Sequence, residues 1–338
     1  MKNFFLINLF FVSFSAFSQV GGEYIYNFLN VPTSARTAAL GGKVLTLLDD
    51  VNQPSWNPAM INQSMDNKLG VNYVNFLADI NYGSLNYAHM FTRRMGTIHG
   101  GITFVDYGEM IGADVNGVET GTFIARDIAV SVGYAYQIPY ESFYVGANLR
   151  WINQTIENYS SHGVSADFGL VYYSDRKPFI ITAVVRNVGY QITLFDETRE
   201  KLPLQVELGF SYQLQDLPLK WFVTAENLQR WKIAVPNPSD SETSIDGSIT
   251  ADSISFFDTT MRHLVVGAEF FSDKNFNLRI GYNFRRAKEL RLTEARTFSG
   301  FTFGFGLKLG KRMKFHYAYS KYHPVSNSST FSLQFDMD

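Results

Sequence analysis

The stretch FTFGFGLKL, Phe301–Leu309, alternates strictly between large apolar residues and small or polar ones. Three phenylalanines and two leucines fall on one face, and threonine, glycine and lysine fall on the other. A period of two predicts a β-strand with one apolar and one polar face. The pattern recurs in residues 204–214, LQVELGFSYQL, and in residues 276–284, FNLRIGYNF. The sequence therefore predicts an all-β protein.

Soluble β-sandwiches also contain alternating strands, and three features favour a membrane barrel over a sandwich. The predicted strands are about 9–12 residues long, which suits a tilted bilayer crossing, whereas strands of soluble sheets average about 5–6 residues. Aromatic residues suited to a membrane interface end many apolar faces: Tyr134, Tyr136, Trp151, Tyr172 and Tyr212. The opposite faces carry charges that a polar lumen tolerates and a sandwich core does not: Arg150, Glu207, Glu226, Glu269, Arg279 and Lys308.

About fourteen such segments can be counted, and an even number is typical of single-chain bacterial barrels. Their predicted limits are 69–76, 81–91, 97–107, 126–137, 142–155, 163–174, 178–189, 203–214, 218–228, 262–272, 275–285, 298–309, 312–321 and 328–336. Tight turns alternate with longer connections, the long ones being 108–125, 190–202, 229–261 and 286–297. The first connection, 77–80, is short and does not fit this alternation.

We therefore expect a transmembrane antiparallel up-and-down β-barrel of about 14 strands in the cell outer membrane. In that arrangement both termini and the short turns face the periplasm, and the long loops are extracellular. Ahead of the barrel, residues 1–18 combine Lys2 with an apolar run too short to span a bilayer. This segment is predicted to be a signal peptide cleaved before Gln19, the alternative being a buried N-terminal helix. The predicted division is signal peptide 1–18, lumenal plug segment 19–66 and barrel 67–338.

Composition excludes several classes of function. The chain has 29 basic and 31 acidic residues and no dense basic patch, so no nucleic-acid partner is expected. It has no cysteine, which excludes disulfides, thiolate metal sites and thiol nucleophiles. None of the six histidines is spaced with a second histidine or a carboxylate as metal ligands would be. The sequence predicts no cofactor, no metal site and no enzyme activity.

The segment 34–61, SARTAALGG followed by a DD pair and WNPAMI, is predicted to form two short helices inside the lumen. Ser34 is the expected N-cap of the first helix and Gly41 its C-terminal end, and Asn57 is the expected N-cap of the second. The glycine pair lacks the spacing of a dinucleotide site. The predicted plug motif comprises Ser34, Arg36, Gly41, Gly42, Asp49, Asp50, Asn57 and Pro58.

Arg36 is the one basic residue in this motif, and a guanidinium inside a filled lumen needs a partner. By strand parity Glu207, Glu226 and Glu269 point into the lumen, so Arg36 is predicted to pair with at least one of them. The alternative is a solvated Arg36 that faces the periplasmic opening.

The same motif resembles the N-terminal pattern of the FadL-like outer-membrane barrels, and within that superfamily the lead-in is similar to the PorQ family of the type IX secretion system. The PorQ family is related to PorV, and VVRNVG at 184–189 is a weaker match. The resemblance implies fourteen strands, a lumenal N-terminal segment and a Bacteroidetes source. It also implies an anchoring role in a cell-surface attachment complex, with a surface protein resembling PorZ, PorU-like and PorV-like components and outer-membrane lipids as partners.

Two functions stay open from the sequence. The first is this anchor, with the longest loop, 229–261, as the candidate partner-binding loop and Asp240, Phe256 and Phe257 as its candidate residues. The second is a FadL-like transporter of hydrophobic compounds. The loop could also be a mobile surface segment without a partner.

Overall fold

The computed structural model describes residues 24–77, 79–92, 95–138, 142–174, 176–234, 242–243, 249–250, 254–290, 298–322 and 326–337. The predicted signal peptide and Asp240 lie outside these residues. Within them, fourteen antiparallel strands form a closed barrel in which each strand pairs with its neighbours in sequence. Eight residue pairs, from Lys68 opposite Asp336 to Asn75 opposite Ser329, join the first strand to the last.

We number the barrel strands in chain order: β1 Lys68–Asn75, β2 Asn81–Thr92, β3 Gly96–Ala113, β4 Glu119–Gln137, β5 Phe143–Ile156, β6 Tyr159–Tyr173, β7 Phe179–Thr193, β8 Gln205–Gln213, β9 Leu219–Ala225, β10 Leu264–Phe270, β11 Phe276–Asn283, β12 Phe301–Leu309, β13 Met313–Ser320 and β14 Ser328–Asp336. The predicted fold class is confirmed. One end carries the short connections after β2, β4, β6, β8, β10 and β12, and we call it the turn end. The opposite end is the loop end.

The barrel wall is much taller on one side than on the other. Strand β4 has 19 residues and β9 has 7. With a rise of about 3.3 Å per residue and a tilt of about 40°, these strands span about 48 Å and about 18 Å of the barrel axis. The predicted loop 108–125 was therefore mostly wrong. A tight turn joins β3 to β4, with Gly117 at φ 79° and the Asp114 carboxylate accepting the amides of Asn116 and Val118.

Helix α1, Ala35–Ala39, lies in the plug, where the sequence predicted a short helix. The loop end also contains helices that the period-two pattern did not indicate: α2, Phe256–Arg262, and α3, Phe284–Glu289. Ser255 and Asn283 cap α2 and α3 by accepting backbone amides. A hairpin pairs Glu242–Thr243 with Ile249–Thr250. Among the described residues, no helix has both the length and the apolar content to cross a bilayer.

The wall has an apolar outward face and a polar inward face, as predicted. Large apolar and aromatic side chains are exposed on the outside, Tyr134, Tyr136 and Trp151 among them. The inward face is polar but closed off from solvent. Five of the six predicted lumenal charges are buried, namely Arg150, Glu207, Glu226, Glu269 and Arg279, whereas Lys308 is exposed near the end of its strand. The buried core of the molecule therefore lies between the inward face of the wall and the N-terminal segment inside the lumen.

Candidate functional site

The N-terminal segment fills the lumen from one end to the other. It starts at the loop end, where the amide of Ile25 donates to the carbonyl of Lys201 at 3.0 Å. Phe28 packs in an apolar cluster with Val74 and Tyr82, which border the short connection between β1 and β2. The segment ends at the turn end, where Met65 packs near Ala88 and the chain continues into β1.

The two ends of the barrel wall lie together, whereas the first described residue of the plug lies at the opposite end. The prediction that both chain termini face the periplasm stays a prediction, because residues 1–23 lie outside the described part of the chain. An even number of strands places the two barrel ends, Lys68 and Asp336, together at the turn end. The plug then carries the chain through the lumen, so Tyr24, the first described residue, forms a bridge with Lys201 at the loop end. The short connection 77–80 also gains an explanation, because Phe76 and Ile80 pack against the cluster around Phe28.

The first plug helix, α1, is a short turn of small residues. Ala35, Ala38 and Ala39 pack on Ala318 of β13. The helix ends at two glycines with positive φ, where the amide of Gly42 donates to Thr37 at 3.0 Å, as the sequence predicted. Ser34 occupies the N-cap position, but its hydroxyl makes no capping bond. The predicted N-cap position is therefore confirmed, but the hydrogen bond expected from the Ser34 hydroxyl is absent.

Strand β14 supplies the missing acceptor at that helix end, because the Ser332 hydroxyl accepts the amide of Ala35 at 2.8 Å. The second predicted helix is a single 3-10 turn, Pro58–Met60, which Asn57 caps by accepting the amide of Ala59. The Asn57 amide group also donates to the carbonyl of Leu45 and to Thr182 of β7. Asp50 marks a turn, as predicted, since its carboxylate accepts the amide of Asn52.

Arg36 forms the ion pair predicted for it. Its guanidinium contacts Glu269 of β10 at 2.8 Å and Asp49 of the plug at 2.7 Å. Arg279 of β11 contacts the same Glu269 at 2.7 Å and donates to His316 at 3.1 Å. Burial by itself raises the pKa of Asp49, but the charge and hydrogen bond of Arg36 together with the charge of Lys314 outweigh it and hold that pKa below its usual range.

The other two predicted glutamates pair with a residue that the sequence did not indicate. Lys43 lies 2.9 Å from Glu207 and 2.8 Å from Glu226. Arg186 of β7 contacts Glu207 at 2.9 Å, and its guanidinium lies 4.2 Å from the ring centre of Trp56. The sequence could have indicated Arg186, because it lies inside the VVRNVG match. For Lys43 the only indication was its position next to the glycine pair.

A third group of buried charges lies further round the wall. Arg150 of β5 contacts Asp167 of β6 at 2.8 Å and donates to the side chain of Asn187 at 2.9 Å. Asp167 also accepts the amide of Asn187, which has a φ of 59°. Arg150 reaches the plug through the carbonyl of Ser55, at 3.3 Å.

Neutral side chains hold the plug against β1–β4. The carbonyl oxygen of the Asn52 side chain accepts from Asn72 at 2.7 Å and from Asn86 at 2.9 Å. Ser55 donates to Asn86, and His99 contacts the carbonyl of Val51 at 3.1 Å. This side of the lumen thus has hydrogen bonds where the opposite side has ion pairs.

Inward-facing glycines let the backbone of the plug touch the wall. A Cβ at Gly281 of β11 would collide with the backbone of Leu40 and Gly41. A Cβ at Gly146 of β5 would collide with the backbone of Pro58 and Ala59. These contacts leave no room for a side chain, so the plug is packed as a structural part of the barrel.

A cavity lies between the plug and the wall at the turn end. It has a volume of about 530 Å³ and is bordered by plug residues such as Met60 and Ile61 and by Thr97, Tyr144 and Tyr173 of the wall. In the residues that the structure describes, no group of three or more His, Asp or Glu side chains could hold a metal ion.

The candidate partner-binding residues lie at the loop end. Phe256 and Phe257 of α2 are 75% and 72% exposed. Trp231 stacks on Phe256, with ring centres 5.2 Å apart, and on His263 at 5.1 Å. These side chains form an exposed aromatic surface on a short, capped helix.

Comparisons with known proteins identify the fold. No protein-family model matches the chain, and no curated protein matches it in sequence. The toluene transporter TbuX of Ralstonia pickettii has a TM-score of 0.52 at 12% identity, over 93% of this chain and 100% of that one. The TodX monoaromatic hydrocarbon channel, as its deltaS2 mutant, has a TM-score of 0.51 at 14% identity, over 91% of this chain and 98% of that one. At these identities the likeness is one of fold, and this chain shares the β-barrel architecture of TbuX and TodX.

Proposed function

We propose that this chain is a plugged outer-membrane barrel that anchors a partner protein at the cell surface. The observation that carries the proposal is the fixed plug: buried ion pairs, hydrogen bonds and backbone contacts hold it along the lumen. Breaking one partner of a buried ion pair costs about 3–5 kcal/mol, so several such pairs oppose any withdrawal of the plug. A barrel closed in this way serves better as a support than as an open pore.

The loop end is the side on which the partner binds in this proposal. Short turns face the periplasm in outer-membrane barrels and long connections face outward. On that basis the aromatic surface of Phe256, Phe257 and Trp231 lies outside the cell, available to another protein. The resemblance to the PorQ family names the candidate partners: a surface protein resembling PorZ, with PorU-like and PorV-like components of a type IX secretion attachment complex.

The second candidate is transport of a hydrophobic compound. It is favoured by the fold shared with TbuX and TodX and by the 530 Å³ cavity at the turn end. Transport would require the plug to shift on the side where neutral hydrogen bonds hold it, since those are the weaker contacts.

The two candidates can be separated by purifying the tagged protein from its native outer membrane in mild detergent and identifying what accompanies it by mass spectrometry. The anchor proposal expects a surface protein in stoichiometric amount, and its loss when Phe256 and Phe257 are both changed to Ser. Tyr159→Ser is the matched control, because Tyr159 is another exposed aromatic residue at the loop end. Recovery of the barrel alone with bound hydrocarbon would contradict the anchor and favour transport.

A further inference from the structure

The hairpin of β3 and β4 extends beyond both of its neighbours in the barrel. The last residue of β2 toward the loop end, Asn81, pairs with Asp106. On the other side, Ile156 of β5 pairs with Ala125. From Glu109 opposite Ile124 onward, β3 and β4 pair only with each other, except that the Ile124 carbonyl also accepts the amide of Glu157 at 3.0 Å. We call this part of the hairpin the ribbon.

A ribbon of two strands has two open edges. Along residues 109–113 of β3, no strand in the described part of the chain pairs on the side away from β4. Every second residue of such an edge points a backbone amide and carbonyl outward, and these groups form the template for an added strand. An isolated two-stranded hairpin is also marginally stable in water, so a third strand would stabilise it.

The side chains of the ribbon indicate which strand would fit. Ile111 is 66% exposed and shares its face with Ile124, which is also exposed, so the middle of this face is apolar. Glu109 lies on the same face, as does Glu119 across the hairpin. Residues 107–125 contain three carboxylates and no lysine or arginine. The third carboxylate, Asp114, is already engaged by two backbone amides of the turn.

We infer that the edge of the ribbon at 109–113 accepts an extended segment of the surface partner as an additional β-strand. On the face of the segment that adjoins Glu109 and Ile111, a basic and an apolar residue lie two positions apart: the apolar side chain lies beside Ile111, and a Lys or Arg lies beside Glu109. Backbone hydrogen bonds give the segment its affinity, and the carboxylates of Glu109 and Glu119 favour a basic segment over an acidic one. The inference rests on the proposed anchoring function and names the place and chemistry of the contact.

The test uses the purified full-length protein in lipid nanodiscs and synthetic seven-residue peptides. The probes are Thr-Lys-Thr-Val-Thr-Lys-Thr (the Lys-Val peptide), which has its Lys and Val side chains on one face, and the same peptide with Glu in place of Lys (the Glu-Val peptide). The third probe is the Lys-Val peptide with its central Val replaced by Pro, which cannot donate to the ladder. Binding is measured by fluorescence anisotropy, and exchange of the amides at 109–113 is followed by mass spectrometry. We expect binding of the Lys-Val peptide alone, with slower exchange at 109–113.

The matched variant is Glu109→Lys combined with Glu119→Lys, which keeps the edge and reverses its charge. We expect it to bind the Lys-Val peptide about tenfold more weakly and to gain affinity for the Glu-Val peptide. Equal binding of both peptides, or no change in exchange at 109–113, would overturn the inference.

A second measurement separates this inference from the anchoring function on which it rests. The same double variant is purified from the native outer membrane. Loss of the surface protein that the wild type retains supports the ribbon as its docking place. Retention of that surface protein would overturn the ribbon site and leave the anchor intact, whereas the failure of the anchor itself would appear as a wild-type barrel without any partner.

Discussion

The two sides of the lumen hold the same plug by different means. Toward β7–β13 the plug residues Arg36 and Lys43 make ion pairs with buried glutamates. Toward β1–β4 Asn52 and Ser55 make neutral hydrogen bonds with wall amides. Because a broken buried ion pair costs about 3–5 kcal/mol and a lost neutral hydrogen bond about 1–3 kcal/mol, the charged side should fix the plug and the neutral side should open first.

The largest loss of stability is expected where the plug backbone contacts the wall backbone on the charged side. Gly281→Val would force the wall away from Leu40 and Gly41, so we expect failure to form the folded barrel, measured as loss of the heat-modifiable band on gels. Gly100→Val is the matched control, because no heavy atom lies within 4 Å of a Cβ at Gly100. Normal folding of the Gly281 variant would show that the plug is not packed against the wall.

The second-largest loss of stability is expected when one charge is removed on the same side. Arg36→Met leaves Glu269 with Arg279 alone and removes the main cation beside Asp49, so unfolding in urea should become easier by about 3–5 kcal/mol. The exposed pair of Arg126 and Asp106 provides the control. Arg126→Met should cost less than about 1 kcal/mol, and equal losses for the two variants would mean that the Arg36 pair is not buried.

The neutral side should respond less. Asn52→Ala leaves the side chains of Asn72 and Asn86 without their shared acceptor, and we expect a loss of about 1–3 kcal/mol. Hydrogen exchange should rise in residues 51–55 and stay unchanged in residues 35–43. A loss as large as that of Arg36→Met would erase the difference between the two sides.

The smallest effect concerns pH. The folded structure lowers the pKa of Asp49 below its value in the unfolded chain, which is about 3.9. The contribution of the Asp49 carboxylate to the free energy of unfolding is therefore complete above that pH and is lost as the pH falls below it. Between about pH 5 and pH 3 the wild type should therefore lose more stability than Asp49→Asn. Parallel curves for the two proteins would show that Asp49 does not contribute to the charged side.

The sequence predicted the barrel strands better than the contacts of the plug inside them. Side chains that alternate between lipid and lumen leave a period-two pattern, so the strand count and most strand limits were correct. The pairing of Arg36 with Glu269 was accessible because strand parity sets which glutamates face inward. Lys43 was not accessible, since the reach of one lysine across a lumen depends on the path of the whole plug.

Two features were missed for a common reason. Ser34 lies at the N-cap position without a capping bond from its hydroxyl, and a serine far away in sequence, Ser332, accepts the Ala35 amide at that helix end. Strand parity did not indicate that the described plug begins at the loop end, because it counts only the strands and ignores a segment that threads the barrel. Local patterns in the sequence cannot report contacts made between distant parts of the chain.

Conductance across a planar lipid bilayer tests the central claim, that the plug closes the lumen, most directly. The purified wild type should give no conductance steps. The double variant Arg36→Met with Lys43→Met, which removes the plug's contacts to all three glutamates, should give transient openings. Steady open channels in the wild type would contradict a closed, plugged barrel.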